Sequence, residues 1–230
     1  MGTEFSRLTQ ENSRSIKCFL AVNRHLQQAL LDVVHDAQYD GIPRDPEELY
    51  KYFNRPENIQ KIKKLNKNVL KDDQISLLLP QNQRTFSNKW DITLICVVII
   101  NFTTVPPPVK GWRVKPDQTD TSTGAFVWTA RGLRNVSNHA TLETFLEEVD
   151  FKAFFTDIRL IIVGLKYKDI AKFDQLADNS IHQTIFKDDV DLFMNNIKSI
   201  KEKEIIECEI LDWLKKDYEK GNKLKIISLI

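Results

Sequence analysis

The segment best suited to chemistry contains an arginine and a histidine five residues apart, Arg134 and His139. Asn135 and Asn138 lie between them, and Arg131 precedes Arg134 by about one helical turn. A histidine exchanges protons near neutral pH, and an arginine can hold a phosphate and stabilise the charge that builds on a pentavalent phosphorus. Asn135 would orient either group or hold a phosphate oxygen. This set of residues predicts phosphodiester cleavage without a metal ion.

The spacing alone does not establish a site. Residues five apart lie about 140° apart on an ideal helix, so Arg134 and His139 converge only if the helix ends between them. Ser137 and Asn138 are where we expect that end. Such a pair also arises by chance in a chain of this size, so the residues alone favour a purely structural interpretation.

Other catalytic signatures are missing from the sequence. It has no phosphate-binding glycine loop, dinucleotide fingerprint, paired CxxC, HExxH or GxSxG motif. His25 and His35 in the first helix, and His182, are expected to be surface or helix-packing residues. We therefore expect no metal and no cofactor.

Composition indicates an all-α protein. The chain has 230 residues, of which 42% are hydrophobic and 28% charged, which excludes a disordered chain. Only 7 residues are glycine, which disfavours folds rich in tight turns. Lys plus Arg (33) nearly balances Asp plus Glu (32), giving a net charge of +1. This balance excludes a broad electrostatic binder of nucleic acid and leaves room for a small patch around Arg131, Arg134 and His139.

The cysteine content and the hydropathy of the sequence indicate where in the cell the protein is expected. Cys18, Cys96 and Cys208 are too few and too scattered for a disulfide framework or a zinc cluster, which fits a reducing compartment and predicts a cytoplasmic protein. The longest apolar run, Ile92 to Ile100, is about half the length that a bilayer requires. We expect no membrane association.

Apolar residues at spacings of three and four, with proline and glycine breaks, predict a series of helices. They run from Thr9 to the Gly41-Ile-Pro43 break, from Asp45 to about Phe53, from Pro56 to Leu70, from Ser87 to Phe102, from Ser122 to about Asn138, and from Phe151 to Gly164.

The segment from Ser87 to Phe102 is unusual because its second half is apolar on every side. Its β-branched residues favour a buried strand by propensity. No partner strands are evident nearby, and a helix apolar all round suits the centre of a bundle. We therefore predict a central helix, ended by Pro106-Pro107-Pro108.

The stretch from Phe186 to Tyr218 carries a heptad-like apolar seam. A seam of this length packs either against its own bundle or against a second chain. We favour packing within the chain over a dimeric coil.

Several segments together resemble one family. Asp91-Ile-Thr-Leu94 precedes the central helix, Pro107-Pro-Val-Lys-Gly-Trp112 follows it, and Arg134-Asn135 to His139 comes next, with Phe151 to Gly164 downstream. Their order and spacing resemble the HEPN domain related to that of the DAZ-interacting-protein ubiquitin ligase. The resemblance covers roughly Asn12 to Lys168.

The resemblance implies a HEPN bundle of four or five helices that is often dimeric and cleaves RNA without metal through the 2′-hydroxyl, leaving a cyclic phosphate. It implies that Arg134 holds the phosphate, that His139 acts as acid or base, and that Asn135 assists. We assign Arg131 and Asn138 to RNA binding. One departure is Asn101-Phe102-Thr103, where the family commonly carries an Arg-Asn pair. The lost positive charge leaves a second phosphate contact unsupported.

The expected layout has three parts. Residues 1–5 resemble a vector-derived remnant, 6–168 form the HEPN-like domain, and 169–230 form a helical extension that packs on the bundle or leads to a further domain. Two functions follow from this layout. One is a metal-independent endoribonuclease in defence or stress signalling. The other is a non-catalytic HEPN module that dimerises or binds RNA or protein within a larger signalling chain.

Overall fold

The computed structural model describes residues 10–66, 69–138 and 148–178, together with residues 195 and 198. These residues form helices, turns and loops, and none of them lies in a β-strand. The chain divides into two compact units, Met1–Ile185 and Phe186–Ile230. The predicted all-α fold is confirmed.

The first helix is long and contains a change of winding. It consists of α1 (Gln10–Leu20), a π-helical segment (Ala21–Leu26) and α2 (Gln27–Val34). Leu20 and Leu26 at the two junctions keep helical backbone angles, so the axis continues through all three parts. A π segment is uncommon in helices and widens the winding locally.

The predicted end of this helix at Gly41-Ile-Pro43 is wrong, because α2 ends at Val34 and a short 3₁₀ turn (Ala37–Tyr39) follows. Gly41 serves close packing instead. A Cβ at Gly41 would lie 2.5 Å from the carbonyl carbon of His35. The amide of Gly41 donates to the carbonyl of Asp36 at 3.0 Å, which folds the chain back on the helix end.

Three short helices form the next layer: α3 (Pro46–Phe53), α4 (Pro56–Asn66) and α5 (Asp72–Leu78). Asp45 caps α3 by accepting hydrogen bonds from the amides of Glu47 and Glu48, and Pro46 occupies the first turn. Leu49 and Phe53 are the buried residues of α3, and the Phe53 ring packs edge-on against the buried Trp90. The predicted starts of α3 and α4 are confirmed.

The central helix is α6 (Ile92–Phe102), and it is a helix as predicted. Eight of its 11 residues are buried. It packs against α2 on one side and α7 (Thr123–Asn138) on another. Ser87–Lys89, which the sequence assigned to the same helix, forms a separate 3₁₀ turn because the capping residue Asp91 starts α6.

Helix α7 meets the triple proline at its first turn. A Cβ at Gly124 would lie 2.3 Å from the carbonyl oxygen of Pro106, so only glycine permits this approach. The loop before α7 is held by Asp120, whose carboxylate accepts hydrogen bonds from the amides of Val109 and Ser122. The start of α7 lies against Pro106, beyond the end of α6, and Arg134 near the end of α7 contacts Asp91 at the start of α6, so the two helices are antiparallel.

Helices α8 (Glu148–Gly164) and α9 (Ile170–Ala177) complete the described bundle. Helix α8 packs against α7 and against the first helix, and α9 packs on α8. The Phe155 and Phe173 rings lie 5.2 Å apart, and Arg159 forms a two-point ion pair with Asp174 at 2.8 and 3.1 Å. The buried Lys17 donates to the carbonyl of Asp178 at 2.7 Å, which ties the segment after α9 to α1.

Most of the predicted heptad seam, Phe186 to Tyr218, lies outside the described residues. Asn195 and Lys198 are helical. The proposed layout of residues 1–5, 6–168 and 169–230 stays a prediction. None of the described helices is both long enough and apolar enough to cross a membrane.

Gly124 offers a direct test of the packing between α7 and the triple proline. We expect Gly124→Ala to lower the free energy of unfolding by about 1–3 kcal/mol, because the methyl group meets backbone atoms that cannot rotate away. Gly132→Ala on the same helix is the control, since its Cβ meets nothing within 4 Å and alanine is the better helix former. Urea unfolding measures both, and equal effects would contradict the packing.

Burial of His25 predicts an acid-sensitive fold. Its ring lies edge-on to Tyr167 and Phe173, and burial lowers its pKa from 6.5 to about 4. The folded state thus binds fewer protons than the unfolded chain in this range, so the stabilisation is complete above pH 6.5 and is lost as the pH falls toward 4.

Between pH 7.5 and pH 5, the unfolding free energy of the wild type should fall by about 1–2 kcal/mol more than that of the His25→Phe variant. Urea unfolding at the two pH values measures the difference. His35, whose pKa burial also lowers, remains in both proteins and leaves some pH dependence in the variant. Parallel pH curves for the two proteins would show that His25 is not the sensitive group.

Candidate functional site

The candidate site lies where α7 passes the start of α6. Because the two helices run in opposite directions, the second half of α7 lies beside Asp91, the residue that begins α6. Arg134 forms an ion pair with Asp91, with 3.0 Å between a guanidinium nitrogen and carboxylate oxygen Oδ2. Residues 43 positions apart in the chain thus meet at the rim of the bundle.

The Arg134 side chain is held from two directions. One terminal nitrogen donates to Asp91, and the other donates to Oδ1 of Asn135 at 3.2 Å. Oδ1 of Asp91 accepts from the amide of Leu94 at 2.8 Å, which caps α6. The side chains of Arg134 and Asp91 are 26% and 45% exposed, so solvent and a ligand can reach the pair.

Arg131 lies one turn before Arg134 on α7 and is exposed, as is Asn135. The structure therefore brings Arg131, Arg134 and Asn135 onto one accessible surface. This arrangement places two guanidinium groups on neighbouring turns of α7, and one of them is paired with the carboxylate of Asp91.

Two predicted site residues are not tested. His139 lies outside the described residues, and so does the side chain of Asn138, the last residue of α7. The predicted helix end at Ser137 and Asn138 stays a prediction for the same reason. The site is therefore described from Arg131, Arg134, Asn135 and Asp91, without a distance between Arg134 and His139.

Cys96 on α6 lies close enough to this surface for Arg131 and Arg134 both to act on its thiol. Cys96 is buried, and its thiol lies 3.7 Å from the carbonyl oxygen of Val127. Burial raises the pKa of Cys96 to about 12, while Arg131 and Arg134 oppose that rise. The thiol therefore stays protonated at neutral pH and cannot act as a nucleophile.

His25 and His35 are packing residues, as predicted. Nδ1 of His25 lies 3.2 Å from the Tyr167 hydroxyl. Nδ1 of His35 donates to the carbonyl of Ile42 at 2.8 Å, and burial lowers the His35 pKa. His182 lies outside the described residues.

Asn101, where the sequence departs from the family pattern, lies at the opposite end of α6 from Asp91. The helix has 11 residues, so the two ends are about 15 Å apart. A positive charge is nevertheless present there. Nζ of Lys61 on α4 lies 3.4 Å from the Asn101 carbonyl oxygen and 5.6 Å from the centre of the Phe102 ring. The missing charge is thus remote from Arg134.

The contact of Asp91 with Arg134 was not predicted from the sequence. The sequence showed Asp91 as part of the segment before the central helix, and its capping position is readable from the apolar run that follows. Its contact with Arg134 could not be read, because it depends on the antiparallel packing of α6 and α7. Among the described residues, no group of three or more His, Cys, Asp or Glu side chains is placed to hold a metal ion.

Comparison with known proteins gives a family but no individual relative. The family model described as DZIP3/hRUL138-like HEPN matches residues 46–188, which is more than half of the chain. No curated protein and no solved structure matches the chain. The matched range includes α3 to α9 and the whole Arg134 to His139 segment. The resemblance inferred from the motifs is therefore confirmed, and the chain belongs to the DZIP3/hRUL138-like HEPN family.

Proposed function

We propose that this HEPN domain is a metal-independent endoribonuclease. The observation that supports the proposal most strongly is the arginine of the Arg134-Asn135-x3-His139 segment, fixed at an accessible surface by Asp91 and Asn135. A guanidinium fixed before the substrate arrives needs no reorganisation when charge builds on a phosphate. His139 follows Arg134 by five residues in the sequence and is proposed to supply the proton transfers.

The proposed reaction is transfer of the phosphodiester to the neighbouring 2′-oxygen. The 2′-hydroxyl oxygen bonds to phosphorus while the bond from phosphorus to the 5′-oxygen breaks. The 2′-hydroxyl loses a proton and the leaving 5′-oxygen gains one, so the products are a 2′,3′-cyclic phosphate and a free 5′-hydroxyl. Arg134 holds the phosphate oxygens, His139 carries one of the protons, and Asn135 assists.

RNA binding is proposed to be local. Arg131 extends the positive surface by one turn of α7, and Asn138 is proposed to contact RNA at the end of that helix. A site with two arginines captures one or two phosphates, which agrees with the net charge of +1. We place this activity in the cytoplasm, in defence or stress signalling. The buried free thiols of Cys18 and Cys96 fit a reducing compartment.

The test is cleavage of single-stranded RNA in the presence of EDTA. We expect Arg134→Ala and His139→Ala each to lower kcat by about 100-fold or more, because each removes a group that acts in the transition state. Arg84→Gln is the control, since Arg84 is also an arginine in a surface ion pair, with Glu47, but lies outside the candidate site. Undiminished cleavage by His139→Ala, with its fold intact by circular dichroism, would overturn the assignment.

A second candidate function is self-association, as expected for a non-catalytic HEPN module. It is favoured by an exposed line on α8. Val149, Leu160 and Val163 are 71%, 60% and 44% exposed. Ala153 and Thr156 are also exposed and lie on the same line, so the five residues follow alternating spacings of four and three. This is the spacing of a coiled-coil seam.

Charges beside this α8 seam favour a second copy of the chain as the partner. Lys152 and Asp157 flank the seam on opposite sides, five residues apart. When two such helices run parallel, Lys152 of one copy faces Asp157 of the other, whereas antiparallel helices place like charges together. The two candidate functions are compatible, because two copies would supply two Arg–His pairs.

Leu160→Lys tests the α8 seam. We expect it to shift a concentrated sample from dimer to monomer in light scattering, because it replaces an exposed apolar side chain of the seam with a charged one. Val109→Lys is the control, because Val109 is 86% exposed but lies on the loop before α7. The dimer should also persist in the Arg134→Ala, His139→Ala double variant. A wild-type protein that stays monomeric at high concentration would contradict this candidate.

A further inference from the structure

We propose that Asp91 is a positioning residue, which fixes the guanidinium of Arg134 for phosphate binding while it caps the central helix. This inference rests on the proposed ribonuclease function. The same carboxylate would cap α6 and hold an arginine of α7.

The two oxygens of Asp91 do different work. Oδ1 accepts from the amide of Leu94 at 2.8 Å, and Oδ2 accepts from Arg134 at 3.0 Å. The hydrogen bond from Leu94 restricts the rotation of the carboxylate, so the start of α6 limits the directions in which Oδ2 can point. The position of the arginine side chain is thereby tied to the start of the buried helix α6.

The backbone that carries Asp91 is itself anchored. The neighbouring Trp90 is fully buried, and its carbonyl accepts from Nε2 of Gln27 on α2 at 2.6 Å. The Trp90 amide donates to the carbonyl of Ser87 at 3.1 Å. Asp91 therefore has little freedom to follow a moving side chain, and the side chain of Arg134 must adapt to it.

A negative charge beside a phosphate site has two opposing consequences. It weakens the binding of RNA, because like charges repel. It also removes the need to order a long arginine side chain during the reaction, which favours the chemical step. A positioning role predicts that the second effect dominates, so that loss of the charge lowers kcat although RNA binds as tightly or more tightly.

Asp91→Asn separates the two tasks, because asparagine caps helices about as well as aspartate but carries no charge for Arg134. We expect kcat for RNA cleavage to fall about 10- to 100-fold, with KM unchanged or lowered. Asp45→Asn is the matched control. Asp45 also caps a helix through its carboxylate, at α3, but it lies in the layer of short helices. Its variant should keep the wild-type kcat and KM.

The outcomes distinguish this inference from the proposed function. If the wild type cleaves RNA and Asp91→Asn keeps the same kcat, with KM unchanged or lowered, the positioning role is overturned and the ribonuclease function stands. A wild-type protein that cleaves no RNA would overturn the function, and the positioning role with it. If Asp91→Asn does not fold by circular dichroism, Asp91→Ser, which retains a capping oxygen, replaces it in the same comparison.

Discussion

The burial of α6 on all sides is the constraint on which the rest of the structure depends. Eight of its 11 residues are buried, and each large apolar side chain removed from water contributes roughly 1.5–3 kcal/mol. A helix with no polar face must be surrounded, so α2 and α7 pack against it and the other helices cover what remains. Only its two ends reach the rim of the bundle. The polar contacts of α6 are therefore concentrated at Asp91 and at Asn101, and the candidate site lies at the first of these ends.

Local sequence predicted the helices well and their tertiary contacts poorly. The central helix was predictable because the run from Ile92 to Ile100 has no partner strands, and the caps of α3 follow from Asp45 and Pro46. The end of the first helix was predicted too late in the chain, because Gly41 looks like a helix-ending glycine in the sequence. In the structure, Gly41 instead allows a close approach between two backbone segments. The π segment left no local signal, because Ala21, Val22 and Leu26 are ordinary buried helix residues.

The candidate site shows the same division. The sequence was sufficient to predict that Arg131, Arg134 and Asn135 lie on one side of a helix, since α7 carries all three. The contact between Asp91 and Arg134 joins residues 43 apart, so it exists only once α6 and α7 have packed. Asn101 illustrates the converse. Its departure from the family pattern seemed to weaken the site, but the structure places it at the far end of α6, beside Lys61. Family membership, the contact between Arg134 and Asp91 and the nearly neutral net charge are the observations behind our proposal of a small phosphate site, in place of a broad nucleic-acid surface.

The most direct test of the ribonuclease proposal is the chemistry of the product ends. An RNA with a single preferred cleavage position would be digested in EDTA, and the fragments would be weighed by mass spectrometry. A matched RNA with one 2′-deoxy sugar at that position would be digested in parallel. The account predicts a 2′,3′-cyclic phosphate on the upstream fragment and no cleavage of the 2′-deoxy RNA. A 5′-phosphate on the downstream fragment, or cleavage that ignores the missing 2′-hydroxyl, would contradict it.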